Sequence, residues 1–264
     1  MRYAIVVGLF FVFGLRSACG GITVGSLTLE RESQPGDVYS GSITLTNNGN
    51  VAQDVAVYQT DYLFYSDGSN QFGDPGTTAR SNARWITFSP RSLQIPPHNS
   101  SQISYRVIVP QDTTLIGTYW SMIMIEEVPL ASDTAIYLAK NQAGIRQVTR
   151  YGAQCITQIG QSGTRQIKFA RSGLVENEEK KIELQVDVQN TGERWIVPSA
   201  WVELYDGEGK LAGRIDGERK RVFPGTSVRL RFGLDGLTHG KYKALVVLDN
   251  GDQNVFGAKY DLEY

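Results

Sequence analysis

Cysteine, histidine and methionine are scarce in this 264-residue chain, at 2, 2 and 3 copies. The two histidines, His98 and His239, both sit in turn-like stretches of different halves. They supply neither a His-rich zinc site nor a His-paired nucleophile within one domain. Long apolar runs are also missing: beyond the N-terminus no run of about 18 apolar residues is long enough to span a bilayer. Charge of one sign is absent too, with 26 Lys+Arg against 27 Asp+Glu, so nothing draws the chain globally to nucleic acid or anionic lipid. With 28 Gly and 9 Pro it is neither collagen-like nor low-complexity, and 41% hydrophobic residues are enough to build cores.

What is present begins with Arg2, the 13-residue apolar stretch Tyr3–Leu15, and Ala18-Cys19-Gly20. This is the layout of a secretory signal peptide cleaved after Gly20. An uncleaved N-terminal anchor and lipidation at Cys19 are the alternatives. Removing Arg2 and Arg16 from the 26 basic residues leaves 24 against 27 acidic ones. The mature chain then keeps one cysteine, Cys155, so it has no internal disulfide and is held by core burial alone. Cys155 lies in the strand-like run Gln154–Ile159 and reads as a small buried hydrophobe.

The mature chain reads as β almost throughout. Period-2 alternation places Ile43 and Leu45 on one face, and Ile182, Leu184, Val186 and Val188 on another. Val228-Arg-Leu-Arg-Phe232 alternates likewise, and Gly-containing turn signals punctuate such runs. Only Ala131–Ile145 reads as helix or irregular loop. An internal repeat divides the chain. Ile43–Gly49 and Leu184–Gly192 are both strands ending in an Asn-x-Gly turn, and Ile95-Pro-Pro answers Val222-Phe-Pro. Gly117-Thr-Tyr119 answers Gly240-Lys-Tyr242, with both tyrosines suited to corner hydrogen bonds. The first copy carries extra residues, assigned to the polar stretch Ser66–Arg84. The expectation is all-β: two tandem immunoglobulin-like antiparallel sandwiches, residues 21–159 and 160–264, with a hinge at Gln158–Thr164.

Chemistry is hard to find. Glu126-Glu127 and Glu178-Glu179 are adjacent pairs whose members point to opposite faces of a strand, so neither is an acid/base couple. Asp67–Asp74 is oxygen-rich but lacks the ligand spacing of a calcium loop and reads as a hairpin tip. Asn99-Ser-Ser101 is a glycosylation sequon, relevant only in a eukaryote. In Arg214–Arg221 bases alternate with acids, as on a solvated hairpin. Trp85, Trp120, Trp195 and Trp201 fall on strand patterns and read as packing residues. No convergent set of acid, base and nucleophile exists; the chain reads as non-enzymatic, with no cofactor and no metal.

Several segments carry a resemblance: Arg31-Glu-Ser-Gln-Pro-Gly-Asp37, Thr46-Asn-Asn-Gly49, and Tyr119-Trp-Ser-Met-Ile-Met-Ile-Glu-Glu-Val-Pro129. Over about residues 22–159 the chain resembles the periplasmic chaperones of pilus assembly. The two-domain layout is also similar to surface proteins of Gram-positive bacteria that bind peptidoglycan or partner proteins. The first resemblance implies a protein partner in the cell envelope, bound by β-strand pairing. It also implies that two basic residues grip the partner's terminal carboxylate. These fall on Arg31 and, on the last strand of the first domain, on Arg150 or next on Arg146. The second resemblance implies a secreted module that binds a wall polymer or a surface protein. It stays open because Ile145, Val148 and Tyr151 recur every three residues rather than every two.

Overall fold

The computed structural model describes residues 21–129 and 148–264. The signal-peptide reading, the helix-or-loop reading of Ala131–Ile145 and Arg146 therefore lie outside the described residues. The regular elements among the described residues are strands apart from one 3-10 turn, Ala83–Trp85. The first ten strands are β1 (Ile22–Val24), β2 (Thr28–Ser33), β3 (Val38–Asn47), β4 (Gln53–Phe64), β5 (Asn70–Gly73), β6 (Ile86–Ser89), β7 (Ser92–Ile95), β8 (Ser100–Ile108), β9 (Gly117–Val128) and β10 (Arg150–Ile159). They form a sheet β1-β3-β8-β6 facing a sheet β2-β10-β9-β4-β5, with β7 also on β4. The remaining strands are β11 (Ile167–Glu176), β12 (Ile182–Asn190), β13 (Ser199–Tyr205), β14 (Leu211–Asp216), β15 (Ser227–Gly233), β16 (Lys241–Asp249) and β17 (Val255–Glu263). These make sheets β11-β12-β15 and β14-β13-β16-β17. The fold is two immunoglobulin-like sandwiches, as the alternation implied.

Alternation builds the cores. Ile43 and Leu45 of β3 meet Ile123 and Ile125 of β9 in the first core, all at most 1% exposed. Leu184, Val186 and Val188 of β12 meet Val246 and Leu248 of β16 in the second. β9 departs from the rule, because Trp120, Met122 and Met124 on its outer face are buried as well.

The Asn-x-Gly repeat has a specific mechanism. Asn47 donates its side-chain N–H groups to the Val51 and Ile95 carbonyls and accepts from the Gly49 amide. Asn190 does the same with the Arg194 and Val222 carbonyls and the Gly192 amide. Each amide satisfies three backbone groups in a dry corner. The spans they close are 48 residues in the first half and 32 in the second.

The tyrosines differ. Tyr242 donates its hydroxyl to the Thr238 carbonyl at 2.7 Å, the expected corner bond. Tyr119 is instead held by its ring, 4.8 Å from Trp85 with the Arg80 guanidinium over it.

The Gln158–Thr164 stretch is strapped down where a loose hinge was expected. Buried Arg194 donates to the Gly160 and Ser162 carbonyls at 2.7 and 2.9 Å. The Thr118 amide crosses from the first half to the Glu193 carbonyl, and the Glu193 amide donates to the Thr164 carbonyl. Gly117 makes this approach possible: its φ is +74°, and a Cβ there would lie 2.1 Å from the Glu193 carbonyl oxygen.

Candidate functional site

The segment that opens the first half changes sheets. After β1 it crosses at Gly25–Leu27, and β2 then runs parallel to β10, pairing Thr28 with Gln154 through Ser33 with Ile159. β10 pairs antiparallel with β9 along its whole length, Arg150 with Glu126 through Ile159 with Gly117. β2 therefore covers only the later part of β10. Among the described residues no strand covers the other side of Arg150–Ala153.

The direction of that edge follows from the hydrogen bonds. The Gln154 amide donates to the Leu27 carbonyl, and the Gly160 amide to the Ser33 carbonyl. Even-numbered residues of β10 thus point their backbone groups toward β2. Arg150 and Gly152 share that parity, so their N–H and C=O groups face the open edge. Leu27 (45% exposed) and Val148 (40%) place apolar surface at its two ends. The outer edge of β17 is also unpaired among the described residues, but Lys259, Asp261 and Glu263 guard it, and Glu30, Arg31 and Glu32 guard β2. The open part of β10 carries one charge, Arg150.

Arg150 is exposed and donates through Nε to Glu126 Oε2 at 2.8 Å. Tyr58 of β4 donates to the same oxygen at 2.8 Å. The Tyr58 and Arg150 hydrogen bonds hold the Glu126 carboxyl below its usual range. Glu127 points the other way and accepts from the Ile22 amide, so this adjacent pair lies on opposite faces as read.

The structure does not bring Arg31 and Arg150 together. Arg31 pairs with Thr157, seven positions along β10 from Arg150. That is about 23 Å at the usual rise per residue. An odd separation also puts the two on opposite faces of the sheet. Thr157 lies on the core-facing side with Ala153, Cys155 and Ile159. Arg31 thus lies at the rim between the sheets, near Tyr39 and Tyr105. Tyr39 is pushed up to about 12, mainly by burial and against the lowering effect of its hydrogen bond with Thr157. One carboxylate cannot reach both arginines.

The residues at the other end of the outer face were not singled out by sequence reasoning as partners. Glu30 Oε1 accepts from Gln158 Nε2 at 2.8 Å and from Trp195 Nε1 at 2.9 Å. Glu30 Oε2 lies 3.4 Å from Arg221, whose guanidinium stacks 4.2 Å over the Trp195 ring. Only the adjacency of Trp195 to the Asn190 turn could have pointed here. Burial, then the neighbouring Arg165 charge, lowers the pKa of Arg194 beside this cluster.

Cys155 is buried and its thiol is pushed up to about 12 by that burial, so it is an inert packing residue. Asp67 caps its own turn, accepting from the Ser69 amide and hydroxyl. Among the described residues no group of three or more His, Cys, Asp or Glu gathers to hold a metal, and no helix is long and apolar enough to cross a membrane.

No known family profile matches the chain, and no curated protein matches its sequence. Solved structures do. The class 5 fimbriae chaperone CfaA is 10% identical, with a TM-score of 0.49, over 90% of this chain and 98% of its own. The E. coli chaperone DraB is 14% identical, with a TM-score of 0.42, over 92% and 96%. A chain of the CsuC–CsuE chaperone–tip adhesion subunit pre-assembly complex from Acinetobacter baumannii is 13% identical, with a TM-score of 0.44, over 90% and 97%. These overlaps run along nearly the full length of the chain, with TM-scores below 0.5 in each case. The likeness assigns no role to this chain or to any of its residues.

Proposed function

We propose that the protein is a non-enzymatic, exported chaperone or assembly adaptor. It binds envelope or pilus-type protein partners by pairing their strands with the open edge of β10. The observation that carries this reading is the pair of outward-facing backbone units at Arg150 and Gly152, uncovered among the described residues and flanked by Leu27 and Val148. Unpaired strand edges recruit extended peptide, and main-chain hydrogen bonds supply much of the affinity. Carboxylate capture is retained at Arg150 alone, where an incoming carboxylate would take the place of Glu126. Arg31 has no part in it, and Arg146 lies outside the described residues. On this reading the signal sequence delivers the protein to the periplasm or beyond the cell, or to a lipid anchor at Cys19.

Two substitutions at one position test the edge. Arg150→Ala removes the guanidinium, and Arg150→Pro also removes an N–H that points away from β9, a change edge strands tolerate. Partners would be captured from envelope extracts of the source organism, identified, purified and titrated. Arg150→Ala should weaken binding about tenfold, the loss of one charge-assisted hydrogen bond, and Arg150→Pro by a further factor of about five. Circular dichroism and melting should be unchanged for both. Wild-type affinity in Arg150→Pro would remove the edge from the mechanism.

A further inference from the structure

The sandwiches share a third apolar cluster: Trp120 of β9, Ile156 of β10 and Phe223 of the second half, each at most 3% exposed. The Phe223 ring stacks on Trp120 with centroids 4.7 Å apart and planes 17° from parallel. Phe64, the last residue of β4, meets Phe223 edge-on with ring centroids 6.2 Å apart. The Trp120 indole N–H donates to the Tyr62 carbonyl at 3.0 Å. Two residues beyond β4, the first strand of the β4–β5 hairpin, the Ser66 amide donates to the Ser227 hydroxyl at 2.9 Å. The hairpin base is anchored in turn. Asp61, 1% exposed, accepts from the Thr77 and Thr78 amides at 2.9 and 2.8 Å, from the Gly76 amide, and from the Ser81 hydroxyl. The hairpin carries most of Ser66–Arg84, the extra residues of the first copy; the second copy closes the same span in 32 residues instead of 48. At the position where the first copy has Pro96, the second has Phe223.

We propose that residues 61–81 are a strap that closes on Phe223 and locks the two sandwiches into one rigid body. Aromatic contacts of this kind are worth more than their buried area, and the Trp120–Phe223 stack at the centre is buried on both sides of the contact. The Arg194 bonds to the connecting stretch remove the slack that would otherwise let the halves rotate. The strap is independent of any partner, so it stands or falls apart from the binding reading.

Calorimetry and small-angle scattering on the full mature protein test it. The wild type should unfold in one transition, with a scattering curve that fits the coordinates of the described residues as one rigid body. Phe223→Ala should split the transition into two, separated by about 5 °C or more, and broaden the scattering-derived size distribution. Phe64→Ala, at a partly buried position that touches the rim of the second core as well as the Trp120–Ile156–Phe223 cluster, should give the same splitting in weaker form with both sandwiches folded. Two transitions in the wild type would overturn the proposal. So would a Phe64→Ala variant that keeps a single transition and the wild-type scattering curve.

Discussion

The two sandwiches share an Asn latch, a Pro-containing turn and a Gly-x-Tyr strand, yet they spend their residues differently. In the second half β13 is 7 residues long and its hairpin partner β14 stays within the sandwich sheet. In the first half the equivalent strand, β4, is 12 residues long and runs past the core to reach the other sandwich. The segment that opens the second half, β11, pairs with β12 alone among the described strands. The one that opens the first half divides between two sheets and leaves part of β10 uncovered among the described residues. A repeated latch keeps the two cores alike, while insertion and strand switching give one copy a long hairpin and a partly uncovered strand.

The largest expected effects test whether the latches are equivalent. Asn47→Ala and Asn190→Ala each leave two buried carbonyls and one amide without a partner. Each should cost about 2–4 kcal/mol in denaturant unfolding, and the two should agree within about 1 kcal/mol. A latch that costs much less than its twin would show that the repeat is a likeness of sequence and not of mechanism.

Asp61 anchors the hairpin of the first half, and pH is the probe. Burial alone would raise its pKa, but the Ser81, Thr78, Gly76 and Thr77 donors outweigh it, and the pKa is lowered. A carboxylate held below its unfolded value contributes stability above about pH 4 that is lost as pH falls through the folded pKa. Melting of wild type and Asp61→Asn should therefore differ most near neutrality and converge below about pH 4. A gap that stays constant to pH 3 would show that the ionised form of Asp61 is not what anchors the strap.

The smallest contrast separates the tyrosines. Tyr242→Phe deletes a hydroxyl that donates to the Thr238 carbonyl and should cost about 1 kcal/mol. Tyr119→Phe keeps the ring on Trp85 and should stay within about 0.5 kcal/mol. Equal losses would mean that the Gly-x-Tyr motif does one job in both halves.

The sequence by itself determined the all-β class, the repeat and most core positions, because period-2 alternation and turn residues act over a few bonds. Ile43, Leu45, Leu184, Val186 and Val188 are buried where alternation put them. It also showed that the first copy is longer, but the polar residues of Ser66–Arg84 concealed the strap, whose working contacts are Phe64, Trp120 and Phe223. The pairing of Arg31 with Arg150 failed for a physical reason. Which face and which end of a sheet a residue occupies depends on the register of β2 against β10, strands more than 100 residues apart in the chain. The same holds for the open edge, since only tertiary pairing decides where β2 stops covering β10. The elbow was decided last, by Gly117 and Arg194, where close backbone approach and a buried guanidinium turn a Gly-rich connection into a fixed joint.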